Sequence, residues 1–297
     1  MKVGFIGLGI MGWRMAEHLA GAGHTLAVWT HSDSKRFSFT EKYAASAFDT
    51  PRAVAEASEV IFLCVGDTAM SESCILGADG LIHGASAGTI IVDCSTVLPS
   101  ASKAIGLALA EKGVHFVDAP CTGSKAGAEN GTLSFMVGGE PDVIDRIRPL
   151  LENMGKRIFY CGLQGMGLHA KVTQNLILGN LLQAFNEGLV LSTKGGVDPV
   201  VMLEILNNSG AQSAFISANA PAVFRRDFEP VFALKWMEKD LSLALATGAS
   251  LNVPLFVTAA SQQGLRAAIA RGWGEEDIRG SIRLLEEITS CEVRKEL

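Results

Sequence analysis

Six residues near the start of the chain, Gly7-Leu8-Gly9-Ile10-Met11-Gly12, constrain its fold more than any other stretch. They follow a short apolar run, Lys2 to Ile6, and open a segment from Met11 to Ala22 whose apolar residues repeat with helical period until Gly21 and Gly23 stop it. A glycine turn of the form GxGxxG between a strand and a helix has a specific physical meaning. Gly7 permits the tight turn, Gly9 leaves the backbone open to a pyrophosphate, and Gly12 lets helix and strand pack closely. The amides at the helix N-terminus then face the phosphates, so residues 7–12 are read as a cofactor cradle.

A second strand, Thr25 to Thr30, should end at the adenosine ribose, about twenty residues beyond the glycines, where an acidic side chain usually selects NAD. This chain has Thr30-His31-Ser32 there, with Lys35 and Arg36 following, a set better suited to a 2′-phosphate. NADP(H) is the favoured cofactor and NAD(H) the alternative. From Thr50-Pro51, an N-cap with proline at the first helical position, helices alternate with the apolar strands Val60–Val65, Thr89–Asp93, Val114–Asp118, Leu133–Val137 and Arg157–Tyr160. That rhythm predicts a Rossmann-type α/β domain with a doubly wound, mostly parallel sheet, whose ligands lie at the carboxyl ends of the strands. Val65, at the end of its strand, and Thr96, just past the next one, are assigned to the cofactor. The polar stretch Asp118-Ala-Pro-Cys-Thr122-Gly123-Ser-Lys125-Ala-Gly127 is read as a loop offering hydroxyls and amides to a carboxylate.

At 297 residues two domains are expected. Beyond Gly165 the strand pattern stops and helical periodicity fills Leu168–Lys194, Pro199–Leu206, Leu234–Thr247 and Pro254–Arg271, so the division is placed as residues 1–163 and an all-helical 164–297. The tail, Cys291 to Leu297, is expected to be mobile and without a role. A net charge of −6 and the lack of any Lys/Arg run argue against a nucleic-acid partner and for a small molecule. No run approaches the ~18 apolar residues of a membrane span, and Met1 leads straight into a strand without a leader pattern. The six cysteines have no paired or zinc-ligand spacing, which fits reduced thiols, a cytoplasmic location and no metal site.

One helical stretch stands out past the division: Gly165-Met-Gly-Leu-His-Ala-Lys171-Val-Thr-Gln-Asn175, continuing toward Lys194. Lys171 and Asn175 are four residues apart and share a helix face, among apolar neighbours. A lysine in a partly desolvated cleft can exchange protons near neutrality.

These segments, together with Lys239-Asp240-Leu241, resemble the β-hydroxyacid dehydrogenase family in order and spacing along essentially the whole chain. The resemblance implies a Rossmann domain, a long interdomain helix at about 165–194 carrying the catalytic lysine, and an all-α domain that often makes homodimers or homotetramers. The Thr122-Gly-Ser-Lys125 loop and the Phe232 to Leu241 segment resemble the glyoxylate/succinic semialdehyde reductase branch. By that resemblance Lys171 is the general acid, Asn175 steadies it or the substrate, Thr96 and Lys239 contact the cofactor, and Thr122, Gly123, Phe232 and Asp240 border the substrate. Three positions depart from the pattern: Thr122 replaces a usual serine, Cys121 a common valine, and His31 a common arginine. The implied activity is NADPH-linked reduction of a small carboxylate-bearing aldehyde. The alternatives are a 3-hydroxyisobutyrate or tartronate semialdehyde type of dehydrogenase using NAD, an imine reductase, in which the lysine is typically replaced, and a silent dinucleotide-binding protein.

Overall fold

The computed structural model describes residues 1–295, which form two compact units divided between Lys171 and Val172. In the first, strands and helices alternate: β1 Lys2–Ile6, α1 Ile10–Gly21, β2 Thr25–Trp29, α2 Asp33–Lys42, β3 Ala45–Ala47, α3 Pro51–Glu56, β4 Val60–Leu63, α4 Thr68–Leu76, β5 Ile90–Asp93, α5 Pro99–Ala110 and β6 His115–Asp118. These six strands lie in the order 3-2-1-4-5-6 with every neighbour parallel, the dinucleotide-binding arrangement. Alternate strand residues enter two cores: Phe5, Phe62 and Val92 pack on one face, Ile6, Leu63 and Ile91 on the other. Burial on both faces explains why the strands read as continuous apolar runs.

The sheet then reverses. β7 (Cys121–Thr122), α6 (Ser124–Glu129), β8 (Leu133–Gly138), α7 (Pro141–Met154) and β9 (Gly155–Gly162) follow β6. β8 runs antiparallel to β6 and β7, with Asp118 opposite Gly138 and Thr122 opposite Ser134, and β9 runs parallel to β8, with Gly162 beside Gly138. The reversal returns the chain to the carboxyl end of β6 as it leaves the sheet. There α8, Met166–Lys194, begins, and its Lys171 is the last residue of the first unit.

The second unit takes in the remainder of α8, then α9 Pro199–Asn207, α10 Ala214–Phe224, α11 Leu234–Ser250, α12 Phe256–Ala268 and α13 Ile282–Thr289. Asp198 caps α9 by accepting the Val200 amide at 2.8 Å. One apolar cluster gathers Phe185, Leu189, Phe224 and Ile282, and another Leu182, Met237, Leu241 and Leu265.

Four expectations change. The stretch read as a loop after Asp118 is largely ordered, because Cys121 and Thr122 pair with β8 and α6 follows them. β3 was not foreseen, since Ala-Ser-Ala carries no apolar signal, and α10 and α13 were missed. The helix expected over Pro254–Arg271, α12, begins two residues after Pro254 and yields to a π-turn, Ile269–Trp273, before Arg271. The tail is held as far as it is described: Val293 is fully buried and its amide donates to Glu286 at 2.8 Å, while Lys295 Nζ pairs with Asp198 at 2.5 Å. Glu296 and Leu297 lie outside the described residues. Among the described residues no helix is long and apolar enough to cross a membrane.

Candidate active site

The glycine turn has the geometry its spacing predicts. Gly7 sits at φ +93°, and a side chain there would lie 2.2 Å from the Cys64 carbonyl oxygen. A Cβ on Gly12 would lie 1.9 Å from the Gly7 carbonyl oxygen, so α1 can start against β1 only with glycine there. Gly9 has open space on its missing Cβ side and is exposed, as a backbone that must admit a phosphate requires. Ile10 is also exposed, whereas Leu8 is buried in the core and Met11 packs against it, so both would meet a cofactor through their backbone. This cradle fits a dinucleotide pyrophosphate.

Beside it lies a cleft of about 560 Å³, lined by Gly9, Ile10 and Ser34 and by four cations, Arg14, Lys35, Lys42 and Lys125, with no carboxylate. Of the ribose-selecting residues foreseen, the structure brings only Lys35 into this lining. Thr30 is buried at the tip of β2, His31 is exposed, and Ser32 meets the Ser34 hydroxyl at 3.0 Å. Arg36 does not serve as expected. Its buried guanidinium donates to the Phe48 carbonyl at 2.5 Å and pairs with Asp33, which makes it a brace for α2. That brace also engages the only carboxylate between His31 and Glu41.

The ends of β4 and β5 are tied together. The Val65 amide donates to Ser95 Oγ at 2.9 Å, and Asp93 accepts from the Ser95 amide at 2.8 Å and from Ser71 Oγ at 2.6 Å. Thr96, half-buried, follows on the same strand end. Asp93 and Asp118 stand in register on neighbouring strands, both buried. Neither was singled out from sequence, although a carboxylate closing an apolar strand is itself a signal, because a charge is buried only with partners.

Asp118 has such partners. Its Oδ1 accepts the Gly165 amide at 2.6 Å and its Oδ2 the Leu168 amide at 2.7 Å, so it caps the first turn of α8 from the end of β6. Burial, opposed by these two amides and aided by Asp93, pushes the carboxyl up to about 6. Lys171, 8 % exposed, lies one turn beyond Leu168. Burial raises the Cys121 thiol, and the nearby Lys171 ammonium opposes that rise, so Lys171 lies on the Cys121 side of the sheet end. Thr122 adjoins Cys121 on the β7 ladder, and Gly123, at φ +131°, turns the chain into α6.

In the second unit Asn175 is buried on α8 and donates through Nδ2 to Asp240 Oδ2 at 2.5 Å. Lys239 Nζ stands 3.2 Å from Asp240 Oδ1 and 5.7 Å from the centre of the Trp236 ring. Phe232 is held just before α11 by its amide, which donates to Asp277 at 3.0 Å. Asn175, Lys239 and Asp240 therefore form one polar cluster, and Phe232 leads into the helix that carries two of its members. Among the described residues no group of three His, Cys, Asp or Glu side chains could hold a metal ion.

Comparison with known proteins finds relatives along nearly the whole chain. Residues 2–162 match the family described as the NAD binding domain of 6-phosphogluconate dehydrogenase, and residues 165–285 the family described as NAD-binding of NADP-dependent 3-hydroxyisobutyrate dehydrogenase. The chain is 37% identical to 2-(hydroxymethyl)glutarate dehydrogenase of Eubacterium barkeri, over 99% of this chain and 97% of that one. It is 36% identical to 2-hydroxy-3-oxopropionate reductase of Escherichia coli, over 96% and 97%. To glyoxylate/succinic semialdehyde reductase 1 of Arabidopsis thaliana it is 32% identical, over 96% and 99%.

Proposed function

This chain belongs to the 3-hydroxyisobutyrate dehydrogenase-like family of β-hydroxyacid dehydrogenases, nicotinamide-dependent oxidoreductases of CH–OH groups, and we propose that it reduces small carboxylate-bearing aldehydes, glyoxylate and succinic semialdehyde first, with NADPH. The observation that carries this reading is a buried lysine, Lys171, one turn into α8 on the Cys121 side of a dinucleotide-binding sheet. A lysine withdrawn from water at such an edge is placed for proton transfer and not for solubility.

Residues 7–12 would hold the pyrophosphate, with Val65 and Thr96 facing the ring-bearing half of the cofactor. A bound reduced nicotinamide supplies the hydride. Lys171, protonated, gives its proton to the aldehyde oxygen, so that C=O becomes CH–OH; in the reverse direction the neutral amine accepts the hydroxyl proton. Thr122 and the amides around Gly123 bind the substrate carboxylate. Asn175, fixed by Asp240, stands one turn beyond the lysine on α8 and steadies it or the substrate, and Phe232 and Lys239 border substrate and cofactor.

Preference for NADPH is supported by Lys35 in a cation-lined cleft and by Arg36, which takes up Asp33, the carboxylate nearest the strand tip. The higher identity to 2-hydroxy-3-oxopropionate reductase favours a second substrate, 2-hydroxy-3-oxopropionate, for the same site. The test is a panel of glyoxylate, succinic semialdehyde and 2-hydroxy-3-oxopropionate with NADPH and NADH in parallel. Lys171→Ala and Lys171→Arg should both lose about 10²–10⁴ in kcat, since alanine has no proton and a guanidinium does not release its own. Near wild-type turnover by either variant overturns the role of Lys171.

A further inference from the structure

Asp118 lies 53 residues before Lys171 in sequence, yet its carboxylate holds the turn on which Lys171 is built. Both oxygens are used: one accepts the amide just before α8, the other the amide of its third residue. Two amides separated by three residues define both where the helix axis starts and how the first turn is rotated about it. Lys171 follows Leu168 by three residues, so that rotation sets the direction of its side chain.

The turn is packed closely against the sheet ends. A Cβ on Gly167 would lie 2.3 Å from the Met136 carbonyl oxygen and 2.9 Å from Asp118 Oδ2, and one on Gly138 would lie 2.5 Å from Asp118 Oδ1. The first turn of α8 is thus pressed onto the ends of β6 and β8 with the carboxylate between them. Asp118 is fully buried, and its oxygens are directed at the amide just before α8 and at an amide of its first turn. The same short segment continues into Cys121 and Thr122, paired with β8. Asp118 therefore ties the helix carrying the lysine to the end of β6, which leads through two residues into β7 and Thr122.

We propose that Asp118 is the positioning residue for Lys171: by gripping the Gly165 and Leu168 amides it sets the Lys171 amine at a fixed place relative to Thr122. The proposal rests on Lys171 being the proton donor. A misplacement of about 1 Å at a reacting group can cost on the order of 10²-fold in rate.

The experiment is a double-mutant cycle in the full-length enzyme, comparing wild type, Asp118→Asn, Lys171→Ala and the double variant. It measures kcat and KM with the best aldehyde and NADPH affinity by fluorescence. The carboxamide of Asp118→Asn keeps the shape and one acceptor but turns an NH2 toward an amide N–H; Asp118→Glu, which keeps both acceptors one methylene further out, is the second variant. With the lysine present, Asp118→Asn should lower kcat about 10- to 100-fold while NADPH affinity stays within about twofold. In the Lys171→Ala background it should lower the residual rate by less than about twofold, because no amine remains to be placed. Asp118→Glu should recover part of the rate. An equal loss in both backgrounds, or a loss carried by NADPH affinity, overturns the proposal and leaves Lys171 as the acid. An unimpaired Lys171→Ala enzyme overturns the lysine reading and the proposal with it.

Discussion

Replacing Asp118 by asparagine should change how stability depends on pH, and the size of the change follows from the surroundings of the carboxyl. Removal from water lifts it from an ordinary 3.8 to about 6, with Asp93 adding to the rise and the Gly165 and Leu168 amides opposing it. Between those values the folded chain binds the proton more tightly than the unfolded chain. The contribution therefore favours folding fully below about pH 4 and is lost as pH rises through about 6. Two pH units of displacement correspond to about 3 kcal/mol. A carboxamide does not titrate, so the stability of wild type minus that of Asp118→Asn should fall by up to about 3 kcal/mol between about pH 4 and pH 6.5, then level off. Urea unfolding followed by tryptophan fluorescence at constant ionic strength measures the difference at each pH. If the two stability curves run parallel across that window, the carboxyl is not displaced and the reasoning about its burial is wrong. At neutral pH, then, the enzyme retains a charge that weakens its fold in order to hold a helix end.

The glycine turn gives a pair of opposite outcomes. Gly9→Ala has room for its methyl, so stability should stay within about 0.5 kcal/mol while NADPH affinity falls at least about tenfold; unchanged affinity in a fluorescence titration would refute the cradle. Gly12→Ala meets the Gly7 carbonyl and should instead lower stability by about 1–3 kcal/mol or more, read as a drop in melting temperature without cofactor. Lys35→Ala should raise KM for NADPH about tenfold and leave that for NADH within about twofold, the effect of one charge-assisted contact; equal effects on both cofactors remove Lys35 from the 2′-phosphate site. Asp240→Ala strands the buried Asn175 amide and should cost about 1–3 kcal/mol of stability in urea unfolding.

Much of the first unit was legible because parallel strands buried on both faces leave unbroken apolar runs, and because GxGxxG between strand and helix has few structural meanings. Lys171 and Asn175 were legible as a four-residue step on a long helix, a purely local relation. What escaped is non-local. The pairing of Cys121 and Thr122 with β8 depends on a strand reversal that nothing between residues 118 and 138 announces. The capping of α8 by Asp118 joins residues 47 and 50 positions apart, and no local periodicity reports such a bond. Arg36 was misjudged for the same reason: its charge pointed to a phosphate, but Phe48 and Asp33 claim it once α2 folds. The tail looked idle in sequence because one valine carries no pattern, yet Val293 fills a core position.

The short ladder between β7 and β8 bears on how an enzyme of this kind changes its diet over evolutionary time. Where a substrate-facing residue rides on a free loop, a new side chain commonly drags the backbone with it, and specificity shifts through insertions and remodelling. Here the backbone of Cys121 and Thr122 is clamped against Phe135 and Ser134, and Gly123 closes the turn behind them. Exchanging serine for threonine at 122, or valine for cysteine at 121, alters the side chain without moving the strand that presents it. If Thr122 holds the substrate as proposed, single-codon steps there would tune which substrate is accepted while the backbone of β7 stays paired with β8.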